Sequence, residues 1–542
     1  MSNMEVDQNL NSPKILIVGA GPTGLTLAAE LTRHHISCRI IDKSIKPVKT
    51  SNALGIQART LEIFADMGII DDFLQEGMQV KQLNIRNHHS LPITEIKLDQ
   101  INSKYKFLLI IPQHKTEAIL LKHLADRGIH VEMQTELMDL RQSENKTTAV
   151  IKDQYGNLEE TEFDWIMACD GGRSIVREKC GMPFNGRDLP EHFVMIDANI
   201  ETPLPANEIH LFLGKKGVVG ILPYSKQYSR LIAEVTHDPL LKNTKTPVIN
   251  DFERLTTERC FQPITFNDPI WTSGFWIHER LINHYQYQNI FFLGDAAHTH
   301  SPVGGQGMNI GIQDAYNLAW KFALVRNHNV NSIILTTYET ERRPIARSVL
   351  KASTLGTHLI SLQNYFLIKL RNFIIKQIAS SKALTRKLQA AISETAIRYH
   401  HSAIVFEGLP YKRGLKAGQK FIDVECQGRW LFDYVQGSQH TILIFLPDPL
   451  SEETITIIQK LQQFLLNERF SNIFNIVVIH SSPLPDTLIT GVHQIFDKEQ
   501  KIHNSYNINF PALYVVRPDK YIGFRSGLSN NELIKFINHL FT

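Results

Sequence analysis

The chain is 542 residues long, with 43% apolar and 20% charged residues and a formal net charge of +3. That length exceeds one ordinary core and points to two or three domains, while the apolar share excludes wholesale disorder. So slight a charge supplies no basic stripe to neutralise a run of phosphates, and nucleic acid is not expected as a partner. The five cysteines (Cys38, Cys169, Cys180, Cys260 and Cys426) are scattered and never form a CxxC pair. Neither a disulfide framework nor a thiolate metal site is expected, and a reducing cytoplasm suits them. The first residues, MSNMEVDQNLNSPK, lack the basic region and apolar core of a secretory signal. No apolar run reaches the roughly 18 residues of a spanning helix.

In chain order, Lys14–Val18 reads as a buried strand, Gly19–Gly24 as a turn, and LTLAAELTRHH as a helix. Cys38–Ile41 returns as a second strand ending at Asp42, which completes a βαβ unit. Helices are expected over Ala58–Met67 and near Lys115–Arg127. A hairpin pairs Ala149–Lys152 with Glu162–Ala168 and runs into Cys169–Ser174. From about Glu191 to Trp276 short alternating segments such as HLFLG and GVVGILPY predict an inserted, mostly antiparallel sheet. The strand Ile290–Leu293 leads into GDAAH, then a glycine-rich loop and a helix from near Gly311.

Beyond Tyr338, Leu355, Leu359, Leu362, Phe366, Leu370 and Phe373 recur at helical spacing among lysines and arginines. That pattern suits a membrane-surface helix, but a stripe of this kind more commonly packs on its own domain. Packing is the expectation, and a membrane is not expected as a partner. From about Glu407 the βαβ pattern restarts, with ILIFL and NIVVI as buried strands.

Three segments carry chemistry. In Gly19-x-Gly21-x-x-Gly24 the first glycine allows the turn, the second lets the backbone approach a pyrophosphate, and the third lets helix and strand pack closely. Asp42, with Lys43 after it, stands where a carboxylate accepts from ribose hydroxyls. Like-charge repulsion there disfavours a 2′-phosphate, so the site suits the ADP half of FAD or NAD. The second segment is Asp170-Gly171-Gly172-Arg173-Ser174-Ile175-Val176-Arg177. The third is Gly294-Asp295, followed by Pro302, Gly305, Gly307, Met308 and Asn309. A carboxylate at the sheet edge can hold ribityl hydroxyls, and the helix that follows points free N–H groups at an electron-rich ring carbonyl. NAD has no ribityl chain, so the pair of loops favours FAD.

GAGPTGLTLAAEL, DGGRSIVRE and GDAAHTHSPVGGQGMNIGIQDAYNLAWKFA resemble the three signature segments of the single-component aromatic flavoprotein monooxygenases. The branch they resemble is the phenol hydroxylase type, which includes polyketide and antibiotic hydroxylases. The likeness spans roughly residues 12–350. It implies FAD as cofactor, NADH or NADPH as transient reductant, O2 as co-substrate, and hydroxylation of a small aromatic ring through a flavin hydroperoxide. It also implies that Gln113 caps the flavin phosphates and Asp170 and Gly171 contact FAD and the nicotinamide cofactor. Asp295 would hold the ribityl region, Met308 and Asn309 would face the flavin pyrimidine through their N–H groups, and Pro302 would lie at the reactive edge. Asn52 stands where relatives often carry an arginine, which leaves NADH versus NADPH open.

The implied architecture is α/β. It has a Rossmann-like FAD-binding domain (12–190 and 277–400), an inserted antiparallel substrate sheet (191–276, with parts of 80–112) and a thioredoxin-like unit (407–542). That last unit has Pro447-Asp448-Pro449 where a redox pair would stand, so dimer contacts suit it better than disulfide exchange. His210, Phe212, Val219, Ile221 and Pro223 alternate along candidate strands as one choice of pocket face, and the opposite face is an equal choice. Tyr224 and Arg230 can bond a phenolate, with Arg230 expected on the surface. His298 reads as a structural part of its turn. Two alternatives stand beside the hydroxylase. One is a flavin halogenase, although the Gly-Trp-x-Trp-x-Ile-Pro segment is missing, and the other is a binding protein that kept the fold without catalysis.

Overall fold

The computed structural model describes residues 14–45, 53–87, 89–144, 146–408, 414–447, 451–465, 470, 472–484 and 492–541. Asn52, Asp448 and Pro449 lie outside these residues.

The first sheet is built from runs buried along their whole length, as a parallel sheet covered on both faces requires. Ile15–Val18 lies between Arg39–Asp42 and Trp165–Ala168, and Ile290–Phe292 follows beyond, all parallel. The helix Pro22–Arg33 leaves the first strand and packs against the helix Gly307–His328. That second helix starts four residues before the expected Gly311, since Gly307 and Met308 already belong to it.

The run Glu162–Ala168, read from sequence as one hairpin strand, splits at Asp164. Leu158–Phe163 is charged and largely exposed, and pairs antiparallel with Thr147–Lys152. Trp165–Ala168 has only one partly exposed residue and joins the parallel sheet instead. The change of polarity within the run decides the break.

The second sheet has eight strands, ordered His298–Thr299, Thr265–Ile282, Phe184–Glu201, Ser229–Glu234, Gly217–Pro223, Ile209–Gly214, Gln82–Asn87 and Pro92–Lys97. His298–Thr299 follows the Gly-Asp turn directly, so one short loop couples the two sheets. The helix Ile249–Cys260 covers one face through Phe252 and Leu255.

The region beyond Tyr338 forms three helices, Thr337–Ile360, Tyr365–Ser380 and Lys382–Ile392. The expected packing of its apolar stripe does not hold. Leu355, Leu359, Phe366, Leu370 and Phe373 are all exposed. The helices instead turn Ile360, Ile375 and Leu388 onto the second sheet. Among the described residues no helix is long and apolar enough to cross a membrane.

The C-terminal residues form a third, six-stranded sheet. His440–Leu446, Phe474–His480 and His493–Phe496 run parallel in it, and Ala512–Val516 runs antiparallel. Buried ion pairs lock this unit to the first: Arg517 with Glu341 at 2.6 Å, Lys520 with Asp66 at 3.0 Å and Lys420 with Glu62 at 2.6 Å. Cys426 is buried, and no disulfide forms among the described cysteines.

Candidate FAD site

The glycines of the first loop have separable tasks. Gly19 has φ +102°, and a Cβ there would lie 2.4 Å from the Cys169 carbonyl oxygen. A Cβ on Gly24 would lie 2.0 Å from the Gly19 oxygen, so helix and turn close only around a hydrogen. At Gly21 a Cβ meets nothing within 4 Å, so this glycine leaves space for something other than protein. Pro22 opens the helix, where its missing N–H costs nothing. Asp42 ends the second strand and accepts from Ala20 N at 2.7 Å and Ser44 N at 2.8 Å. Those bonds fix the carboxylate against the loop and leave each oxygen a second lone pair. Lys43 beside it is exposed.

Thr23 joins the first loop to the third. Its hydroxyl occupies the space that a Cβ on Gly294 or Gly311 would need, at 2.6 and 2.4 Å. Arg177 joins the second to the third, donating to Ala296 O at 3.0 Å and Gly172 O at 2.7 Å. Asp170 accepts from Val176 N through one oxygen, while its Oδ1 is buried with no partner. Burial raises the Asp170 pKa above the ordinary carboxylate value. Beside it Gly171, at φ +80°, again faces open space. The three loops therefore converge.

The Gly-Asp turn rests on a buried charge cluster. Asp314 accepts from Gly294 N at 3.2 Å, bonds His298 Nε2 at 2.8 Å and takes a bond from Arg342 Nε at 2.7 Å. Burial alone would raise the Asp314 pKa, but Arg342 and His298 outweigh it and hold the carboxylate below its usual value. His298 is buried against Tyr285, which agrees with a structural part in the turn. Asp295 itself is exposed.

Residues 302–309 continue the third loop into the helix Gly307–His328. Pro302 is exposed, and Gly304 and Gly305 have φ +95° and +62°. Asn309 is fully buried and pins the loop to the segment opposite. Its Oδ1 accepts from Gln57 N at 2.9 Å, and its Nδ2 donates to Gly55 O and Gly305 O. Gln57 returns a bond from Nε2 to Gly304 O. The Asn309 side chain is thus committed, while the first N–H groups of the helix remain without intrahelical acceptors. Gln113 starts the helix Gln113–Ala125, its N–H bonded to Ala53 O and its amide to Glu117.

The candidate substrate residues need a correction. His210, Phe212, Val219 and Ile221 do lie on one face, but that face is the one covered by the helix Ile249–Cys260. Phe212, Val219 and Ile221 fill a core with Phe252, Leu255 and Leu231, and His210 Nε2 bonds Pro205 O. Pro223 continues the same alternation. The opposite face, carrying Leu211, Leu213, Val218 and Leu222, turns toward the first unit and the Thr337–Ile392 helices. Tyr224 also lies on the inner side, packed with Leu54, Val80 and Ile110 and stacked on Tyr228. Arg230, expected on the surface, is 4% exposed. It forms a two-pronged pair with Asp197, which also accepts from Trp271 Nε1.

Arg177 stands in the second segment and Arg342 in a family-like one, but the sequence reading assigns neither a role, and it does not single out Gln57 and Asp314. One signal was present. Asn309, Gln313, Asn317 and Lys321 recur every four residues in the helix Gly307–His328, with Asp314 beside them, which draws a polar stripe along its buried side.

The residues fit FAD. Gly21, Gly171 and Gly305, one from each loop, face open space, and the buried Asp170 Oδ1 lacks a partner. Residues 13–353 match the family model described as an FAD binding domain. The chain is 31% identical over 401 residues to a 6-methylpretetramide 4-monooxygenase of Streptomyces rimosus, covering 73% of this chain and 72% of that protein. It is 29% identical to the pentachlorophenol 4-monooxygenase of Sphingobium chlorophenolicum, covering 96% and 95%. In fold it resembles an anhydrotetracycline hydroxylase from Streptomyces rimosus, with a TM-score of 0.73, 23% identity, and 97% and 99% coverage. A flavin-dependent monooxygenase solved with FAD and substrate superposes with a TM-score of 0.75, at 18% identity and 97% and 98% coverage. These likenesses do not favour the halogenase alternative. The convergent loops and the matched model together establish that the chain belongs to the FAD-binding-domain family of flavin-dependent aromatic monooxygenases.

Proposed function

We propose that this chain hydroxylates a phenol-like or polyketide-like aromatic ring, using NADH or NADPH and O2. The observation that carries the reading is the meeting of three glycine loops at the carboxyl edge of the first, parallel sheet. Relatives named for pentachlorophenol and for 6-methylpretetramide support an aromatic substrate class.

Bound FAD supplies the redox chemistry that delivers one atom of O2 to the ring. The chain's own residues bind, orient and exclude water. Gly19–Gly24 would hold the pyrophosphate at the start of the helix Pro22–Arg33, and Asp42 would accept from the ribose. Gln113 would cap the phosphates, Asp170 and Gly171 would border FAD and the nicotinamide cofactor, and Asp295 would accept from the ribityl hydroxyls. The N–H groups of Gly307, Met308 and Asn309 would face the pyrimidine carbonyl, with Pro302 at the ring's edge. Leu211, Val218 and Leu222 would border an apolar chamber, and Tyr224 would offer its hydroxyl to a polar substituent. Burial raises the Tyr224 pKa above the ordinary phenol value, so it stays a neutral donor at neutral pH. We divide the chain into an FAD unit, a substrate sheet and a C-terminal unit, a reading supported by its three large sheets.

The test is to reconstitute the protein with FAD and screen phenols and polycyclic aromatics for faster NADH and NADPH oxidation. A product heavier by one oxygen atom is expected. Peroxide formation with no such product from any ring would overturn the reading.

A further inference from the structure

From Arg342 to Ser393 the sequence contains no Asp or Glu, in a chain with 54 acidic residues overall. The exposed residues of the same stretch include Lys351, Lys369, Lys376, Lys382, Arg386 and Lys387. Within it the helix Tyr365–Ser380 leaves a large apolar face bare, with Phe366 77%, Phe373 58%, Leu370 54% and Ile374 47% exposed. These positions follow i, i+4, i+7 and i+8 spacing, so they form one stripe along the helix. Lys369 and Lys376, seven residues apart, border it on one side. The neighbouring helix ends add Leu359 and Leu384.

The helix is not loosely attached. Its inner side presents Ile375 to the second sheet, and the buried Arg371 donates to Leu359 O at 3.1 Å. An anchored helix with phenylalanines outward and lysines along one border is arranged to insert shallowly into an interface, with its bases among lipid headgroups. A second copy of the chain would bring the same cationic border into contact with itself, and like charges oppose that.

We propose that the helix Tyr365–Ser380 and its flanking helix ends form a peripheral docking face for an anionic lipid bilayer. The face lies one helix thickness from the second sheet, so a ring dissolved in the membrane has a short way to travel.

The test uses the full-length FAD-loaded protein and vesicles of phosphatidylcholine, with or without phosphatidylglycerol, in a sedimentation assay. Binding is expected only with the anionic lipid and falls as salt is raised. Lys369→Gln with Lys376→Gln weakens it about thirtyfold, from the loss of two interfacial charges. Phe366→Ser with Phe373→Ser abolishes it while the flavin spectrum stays unchanged, since neither residue touches the candidate FAD site. No binding to anionic vesicles, equal binding to neutral ones, or full binding by the serine variant would each overturn the proposal. A dimer in analytical ultracentrifugation that the serine variant converts to monomer would also overturn it, by assigning the face to a second copy.

Discussion

Gly21 and Gly24 sit three residues apart in one loop, yet alanine at each is expected to act on a different property. Gly21 has φ −70° and ψ 179°, a conformation that any residue adopts, and its Cβ would meet nothing within 4 Å. Gly21→Ala should therefore leave the apoprotein folded, and fewer unfolded conformers can add about 0.4–1 kcal/mol. The methyl would occupy the space where a pyrophosphate approaches the helix start. Loss of one or two charge-assisted hydrogen bonds, at about 1.5–3 kcal/mol each, predicts FAD affinity weaker by about tenfold to ten-thousandfold. Gly24→Ala places its Cβ 2.0 Å from a backbone oxygen that cannot move aside. That overlap should destabilise the apoprotein itself by about 1–3 kcal/mol or more. Urea unfolding of both apo variants and FAD titration followed by flavin fluorescence separate the two effects. Wild-type FAD affinity in Gly21→Ala would refute the reasoning that this backbone lies against the cofactor. Unchanged stability in Gly24→Ala would refute the close-packing account.

Other consequences concern buried charge. Burial pushes the Glu394 carboxyl up to about 8, with Arg342 and a short bond from Gln313 opposing. The folded state then keeps a proton that the unfolded chain has lost, so stability falls as pH rises from about 4.5 through about 8, by at most roughly 5 kcal/mol. Glu394→Gln should remove that slope in urea unfolding, and parallel pH profiles would contradict the account. His34 and His440 are pushed down to about 3, chiefly by burial and then by Arg33 and Arg517 respectively. The unfolded chain binds protons there first, so stability drops as pH falls below about 6.5, and His440→Leu should shallow the acid limb. Asp314→Ala leaves Arg342 and His298 buried without their carboxylate, and a loss of about 3–5 kcal/mol is expected by calorimetry. A loss under about 1 kcal/mol would show that the cluster does not support the Gly-Asp turn.

Much of the cofactor site was legible because its chemistry is local. A glycine turn between a buried strand and a helix, with an acid ending the next strand, brings together the residues proposed to hold a phosphate and a ribose without reference to distant residues. The Gly-Asp turn and the loop after it are likewise contiguous. The failures have a common cause. Strand alternation shows that His210, Phe212, Val219 and Ile221 share a face, but not which face, and the helix Ile249–Cys260 decided that by covering them. Arg230 reads as a surface cation until Asp197, 33 residues away, neutralises it inside the sheet. Amphipathic spacing in Tyr365–Ser380 implied a buried stripe, yet the opposite side of the helix, with Ile375, met the sheet.

The sequence by itself determined the glycines, the acids and their order, because backbone conformation and close approach act within a few residues. Only the tertiary structure decided how the parts cooperate. Asn309 meets Gln57 across 252 positions, Arg517 meets Glu341 across 176, and Asp314 gathers Gly294, His298 and Arg342 around one carboxylate. A buried charge or amide must find a partner wherever the chain brings one, and no local pattern encodes that partner's address.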